Sequence, residues 1–173
     1  MIIGDPYKFA VMFDIVKEWN VSLSDKNGFF ALCIDGKLFP NIVINACVFS
    51  SVYDVIKSLN SIPFNEEIYE MEKEKAFMSL YELVYPDFDN DRDNDYRYLI
   101  STSDLTDLRY LVFAVEEKGK IKLFATKTEY NFEEERDIFD NLEITEIILE
   151  KDEINRIIIQ LEEIMQSHDF SYK

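Results

Sequence analysis

The chain has 173 residues with 18 Lys and Arg against 35 Asp and Glu, a formal net charge of −17 and a sequence pI near 4.4. That length suits one domain, residues 1–173, and a hydrophobic fraction of 47% excludes a disordered acidic tail. The acidity argues against a nucleic-acid ligand, whose phosphates require Lys and Arg, and no apolar run approaches the ~20 residues of a membrane span.

The first expected element is a strand over residues 7–19. Tyr7, Phe9, Val11, Phe13 and Ile15 alternate with positions that admit Lys8, Asp14 and Glu18, the period of a strand with one buried face. Gly28 opens a second apolar run, residues 29–34. Asp35-Gly36 then supplies a two-residue turn in which both positions need positive φ, so a hairpin into residues 37–39 follows, ended by Pro40. Residues 42–49 read as a further strand.

Helical periodicity begins at Ser51, whose spacing to Asp54 is that of a capping box. Val52, Val55, Ile56 and Leu59 share one face. Asn65 is placed to cap one longer helix, with Glu66 and Glu67 in its first turn. That helix turns Ala76, Phe77, Leu80, Tyr81 and Val84 inward and stops before Pro86.

Strand character returns as a short segment at residues 96–100. Residues 110–115 and 121–126 follow, joined by Glu117-Lys118-Gly119-Lys120 as a hairpin. Residues 142–149 are rich in β-branched side chains. Last comes a helix with Ile154, Ile157, Ile158, Leu161, Ile164 and Met165 on one stripe and Asp152 as its expected N-cap. Strands joined by hairpins, with helices between clusters, predict an α+β fold with a mainly antiparallel sheet, one or two central helices and a C-terminal helix packed on it.

The catalytic inventory is thin. The single histidine, His168, lies near the carboxyl end. Nucleophile-elbow, phosphate-loop and C-x-x-C motifs are all missing, and four glycines do not assemble a phosphate cradle. Cys33 and Cys47 sit in apolar runs, where buried reduced thiols are expected. No cofactor and no catalytic or metal-binding residue is assigned. The amino end lacks the basic and apolar pattern of a signal peptide, so a cytoplasmic address is expected.

The charge is uneven. Residues 1–86 carry 7 basic and 12 acidic side chains, residues 87–173 carry 11 and 23. Asp87, Asp89, Asp91, Asp93 and Asp95 alternate with other residues in a manner that superficially resembles a calcium loop. Counting from Asp87, however, the sixth position is Arg92 and the twelfth Tyr98. Counting from Asp89, the twelfth is Ile100, so the glycine and the bidentate carboxylate of an EF-hand are missing. A second run, Glu133, Glu134 and Glu135 with Asp137 and Asp140, precedes the last strand. The simpler reading of both runs is a solvated connection; the functional one is a docking surface for a basic partner. Phe88, Tyr96, Tyr98, Tyr130 and Phe132 interleave with this acid, and serve either as apolar anchors of an interface or as core.

Several segments resemble the immunity protein 42 family of bacterial polymorphic-toxin systems. They are Ile3-Gly4-Asp5-Pro6-Tyr7-Lys8-Phe9-Ala10 at the start, the hairpin from Asn27-Gly28-Phe29-Phe30 to Ile34-Asp35-Gly36-Lys37-Leu38-Phe39-Pro40, and Ile144-Thr145-Glu146-Ile147-Ile148-Leu149 before the last helix. The resemblance implies a small protein that binds a cognate toxin domain and blocks it. It carries over no functional residues, so the Asp87–Asp95 and Glu133–Glu135 runs stand as partner-binding candidates on charge alone. Two rival classes remain at this point: an acidic regulatory or DNA-mimicking module, and a carboxylate- and metal-dependent hydrolase.

Overall fold

The computed structural model describes residues 1–22, 26–86, 92–133 and 136–167. Among the described residues, ten strands and five α-helices build an α+β fold in which the strand ladders are antiparallel. The amino-terminal sheet is formed by β1 (Ile2–Gly4), β2 (Phe9–Ile15), β3 (Asn27–Ile34) and β4 (Lys37–Phe39), in that spatial order. The short β5 (Ala46–Cys47) joins it by pairing with β3. Pairing of Phe9 with Ile34, Val11 with Leu32 and Phe13 with Phe30 puts the predicted odd-numbered face into the core. Tyr7 departs from that pattern. It lies in a turn, with its N–H donated to Asp5 Oδ1, and is exposed.

Both predicted hairpins form. Ile34 pairs with Lys37, and Asp35 and Gly36 hold φ of 51° and 72°, as a type I′ turn requires. Strands β6 (Tyr110–Glu117) and β7 (Lys120–Lys127) meet at the Glu117–Lys120 pair, with Lys118 and Gly119 at φ 46° and 79°. Strand β10 (Thr145–Glu150) completes a second sheet of order β10-β7-β6.

This second sheet separates two hydrophobic clusters. Val112, Ala114, Leu123 and Ala125 face the first, with the β2–β3 core, α1 (Val48–Asn60) and α5 (Lys151–Gln166). Leu111, Phe113, Val115 and Phe124 face the second, where α2 (Glu66–Tyr69) and α3 (Lys73–Val84) pack, with Phe77 against Phe113 at 5.2 Å between ring centroids. Alternate side chains of β6 therefore feed different cores, which is why nearly all of that strand is buried.

Several expectations are corrected. Residues 42–49 are not a strand beyond Ala46–Cys47, because α1 begins at Val48. Its first N–H is donated to the carbonyl of Lys26 at 2.8 Å, so a backbone group from another segment takes the place of a side-chain cap. Ser51 is consequently inside the helix, buried, and donates to Asp104 Oδ2. Asn65 caps as expected, accepting from Ile68 N–H at 3.1 Å, but the single long helix is two, interrupted between Tyr69 and Lys73. Residues 96–100 form a 3-10 turn, Tyr96–Tyr98, followed by a single bridge from Leu99 to Phe113. Helix α5 starts two residues earlier than Asp152 as N-cap implies: Glu150 is the N-cap, and the Glu150 N–H is donated to Glu153 Oε2. The cysteines also divide. Cys33 is buried, which pushes its thiol pKa up, whereas Cys47 is exposed; both are free.

Gly28 marks a close approach of β2 to β3. A Cβ there would stand 1.9 Å from the carbonyl oxygen of Asp14, a backbone atom that cannot swing away. Gly28→Ala is expected to lower stability by about 1–3 kcal/mol through forced separation of the two strands. Thermal melting of the two proteins checks this.

Candidate docking cleft

Strands β8 (Glu129–Asn131) and β9 (Arg136–Ile138) pair Tyr130 with Asp137. An isolated two-stranded ribbon is marginal in water and needs tertiary support. The support here is polar. Asp137, with a side chain only 9% exposed, accepts from Tyr81 Oη at 2.6 Å through Oδ2 and from Thr128 Oγ1 at 3.4 Å through Oδ1. Arg109 Nη1 lies 3.3 Å from Oδ1. A buried carboxylate is costly unless so surrounded, and these contacts fix the ribbon against α3 and the start of β6.

Arg109 reaches this position through its backbone. It follows α4 (Ser103–Asp107) in the left-handed region at φ 65°, donating its N–H to Thr106 O and accepting from Thr128 N–H, each at 2.9 Å. The guanidinium then lies over the Tyr130 ring, with Cζ 4.2 Å from its centroid. Aromatic rings continue the wall. Tyr81 stands edge-on to Phe139 at 4.6 Å and near Tyr85 at 5.2 Å, and Tyr85 meets Tyr96 at 6.2 Å. Tyr81, Tyr85, Arg109, Tyr130, Asp137 and Phe139 line a cleft of about 740 Å³.

The acidic candidates distribute unevenly around it. Asp87, Asp89, Asp91, Glu134 and Glu135 lie outside the described residues, as do Phe88 and His168. Pro86, which precedes the first run in sequence, and Arg136, which follows the second, both line the cleft. Asp93 and Glu133 are exposed. Asp95 is engaged internally: its carboxylate accepts from Arg97 Nε at 2.8 Å and Nη2 at 2.6 Å, which holds its pKa below the usual carboxylate range. The aromatic candidates divide as well. Tyr98 is core, Tyr130 lines the cleft, and Tyr96 and Phe132 are exposed, Phe132 at 85%. Phe132 stands edge-on to Tyr130 with centroids 5.1 Å apart, which extends the aromatic surface from the cleft onto the ribbon's outer end.

From the sequence, Asp137 is one more charge of the acidic run, Tyr81 an inward-facing helix residue with no role in a site, and Arg109 is unassigned. The available signal was alternation: Tyr130 and Phe132 before the acidic run, Asp137 and Phe139 after it, have the spacing of two short strands.

Burial, then the neighbouring Tyr96 and Asp137, push the Tyr85 hydroxyl up to about 12. Burial, then the bond to Asp137, raise Tyr81 as well. A phenol whose folded pKa exceeds its unfolded value of about 10 contributes stability that is complete below that pH and is lost as pH rises through the folded value. We expect melting temperature to fall between pH about 10 and about 12, with a smaller fall in Tyr85→Phe. Phenolate absorbance and melting scans across that range test it.

Among the described residues, no group of three or more His, Cys, Asp or Glu is placed to hold a metal ion, and no helix is long and apolar enough to cross a membrane. Residues 1–164 match the family described as immunity protein 42. A crystal structure of CdiI from Burkholderia dolosa AUO158 superposes with a TM-score of 0.75 at 23% identity, covering 94% of this chain and 99% of that one, a likeness of fold. No curated protein matches the sequence.

Proposed function

The chain belongs to the immunity protein 42 family, and on that footing we propose that it binds a cognate bacterial toxin domain and neutralises it by covering a basic active-site surface, such as that of a nuclease. The whole chain acts as one immunity domain in the cytoplasm and inhibits by occupation, without turnover and without a cofactor. The observation that supports this reading is the aromatic cleft, whose lining includes Pro86 and Arg136, the residues next to the two acidic runs in sequence. An apolar centre with a charged rim is the usual anatomy of a protein interface, and a net charge of −17 suits a basic partner.

Co-expression with the terminal domain encoded by the adjacent upstream gene tests the proposal. Growth rescue and co-purification are expected; continued toxicity with no complex sinks it. The acid should act mainly on encounter, because burying several aspartates demands heavy desolvation. Changing Asp89, Asp91 and Asp93 to Asn is expected to slow association by roughly tenfold at low salt and to flatten its salt dependence, with a lesser effect on dissociation. Neutralising Glu133, Glu134 and Glu135 should act similarly only if both runs lie on one face. Stopped-flow association at two ionic strengths reads both variants, and unchanged rates would assign the acid to solubility.

A further inference from the structure

We propose that the cleft floor is a guanidinium seat: an arginine of the toxin stacks on Tyr130 and pairs with Asp137, and Arg109 fills that seat in the free protein. This deepens, and rests on, the toxin-binding reading above. The site already shows what it accepts. The Arg109 guanidinium lies 4.2 Å from the Tyr130 centroid and 3.3 Å from Asp137 Oδ1, so one wall supplies a π face and the other a counter-ion. A planar cation satisfies both at once, which a compact ammonium does less well.

Arg109 is placed to yield. Its side chain is 40% exposed whereas that of Asp137 is 9% exposed. Its backbone is held independently by Thr106 and Thr128, so the side chain can leave without moving the strand. Tyr81 and Thr128 keep donating to the carboxylate while the exchange occurs. The protein's own arginine thus shields the buried charge until a partner arginine replaces it, and the net charge of −17 favours the approach of a cationic partner.

The exchange makes a prediction of opposite sign to a purely structural role. Asparagine tolerates the left-handed backbone at position 109, so Arg109→Asn empties the seat with little backbone strain. We expect Arg109→Asn to melt below wild type, because Asp137 loses its counter-ion, and to bind the toxin domain more tightly. If Arg109 fills the seat about nine-tenths of the time, the gain is roughly tenfold. Tyr130→Leu, which removes the stacking face, should weaken toxin binding.

A small probe separates this inference from the function itself. Millimolar N-acetyl-arginine amide should raise the melting temperature of Arg109→Asn and leave wild type unchanged, with N-acetyl-lysine amide less effective. Equal protection of both proteins, protection of neither, or equal protection by the lysine compound overturns the seat. So does toxin affinity in Arg109→Asn that is unchanged or lower while wild type binds. Failure of wild type to bind any toxin domain overturns the functional reading instead, and leaves the arginine-amide measurement to decide the seat by itself.

Discussion

Replacing Ile158 with aspartate is expected to unfold the protein. Ile158 is 6% exposed on α5, in the stripe with Ile154, Ile157 and Leu161 that packs into the first hydrophobic cluster. Substitution removes a branched apolar side chain and leaves a carboxylate among the apolar side chains of that cluster. The cost is at least about 4 kcal/mol, against a total stability of about 5–15 kcal/mol for a domain of this kind. The neighbouring Ile159 is the control, because it points outward at 53% exposure. Ile159→Asp should melt within about 0.5 kcal/mol of wild type. Equal melting of the two variants would mean that α5 does not present the Ile158 face to the core.

A change at Phe132 should produce the largest functional effect. At 85% exposure this ring has almost nothing to lose on the folding side, so Phe132→Asp should melt like wild type. Toxin affinity, by contrast, is expected to fall by about 30-fold, or about 2 kcal/mol, the scale of an interface aromatic that fills a partner's pocket. The choice of aspartate makes the test sharper than alanine. If charge alone held a basic toxin, one further negative group on the rim would leave binding intact or strengthen it. Calorimetric titration of both proteins with the toxin domain distinguishes an apolar anchor from an electrostatic one by the sign of the change.

Features fixed by local chemistry were legible in the sequence. Asp35-Gly36 and Lys118-Gly119 supply the positive φ angles of two hairpins, and six apolar residues at helical spacing define the inner face of α5. What escaped depends on distant segments. Residues 48 and 49 end an apolar run that reads as strand, yet Val48 starts a helix because Lys26, far away in sequence, receives its first N–H. The 3-10 turn at Tyr96–Tyr98 replaces a strand because Asp95 captures Arg97. For the same reason the acidic runs were visible but the cleft was not. Tyr81, Arg109 and Asp137 are separated by long stretches of chain, and only the packing of the β8–β9 ribbon on α3 brings them together.

Because β6 sends alternate side chains into two separate clusters, the protein has two compartments with a shared wall. The cleft belongs to the α3 side; the amino-terminal sheet with α1 and α5 lies across the wall. Distant sites without shared partners respond to substitution almost additively. A lineage under pressure from a changing adversary can therefore revise Tyr85, Tyr130, Phe132 and their neighbours while the opposite compartment continues to supply most of the folding free energy. Rivalry between toxin and inhibitor would then leave its record as rapid change on one side of this wall and slow change on the other.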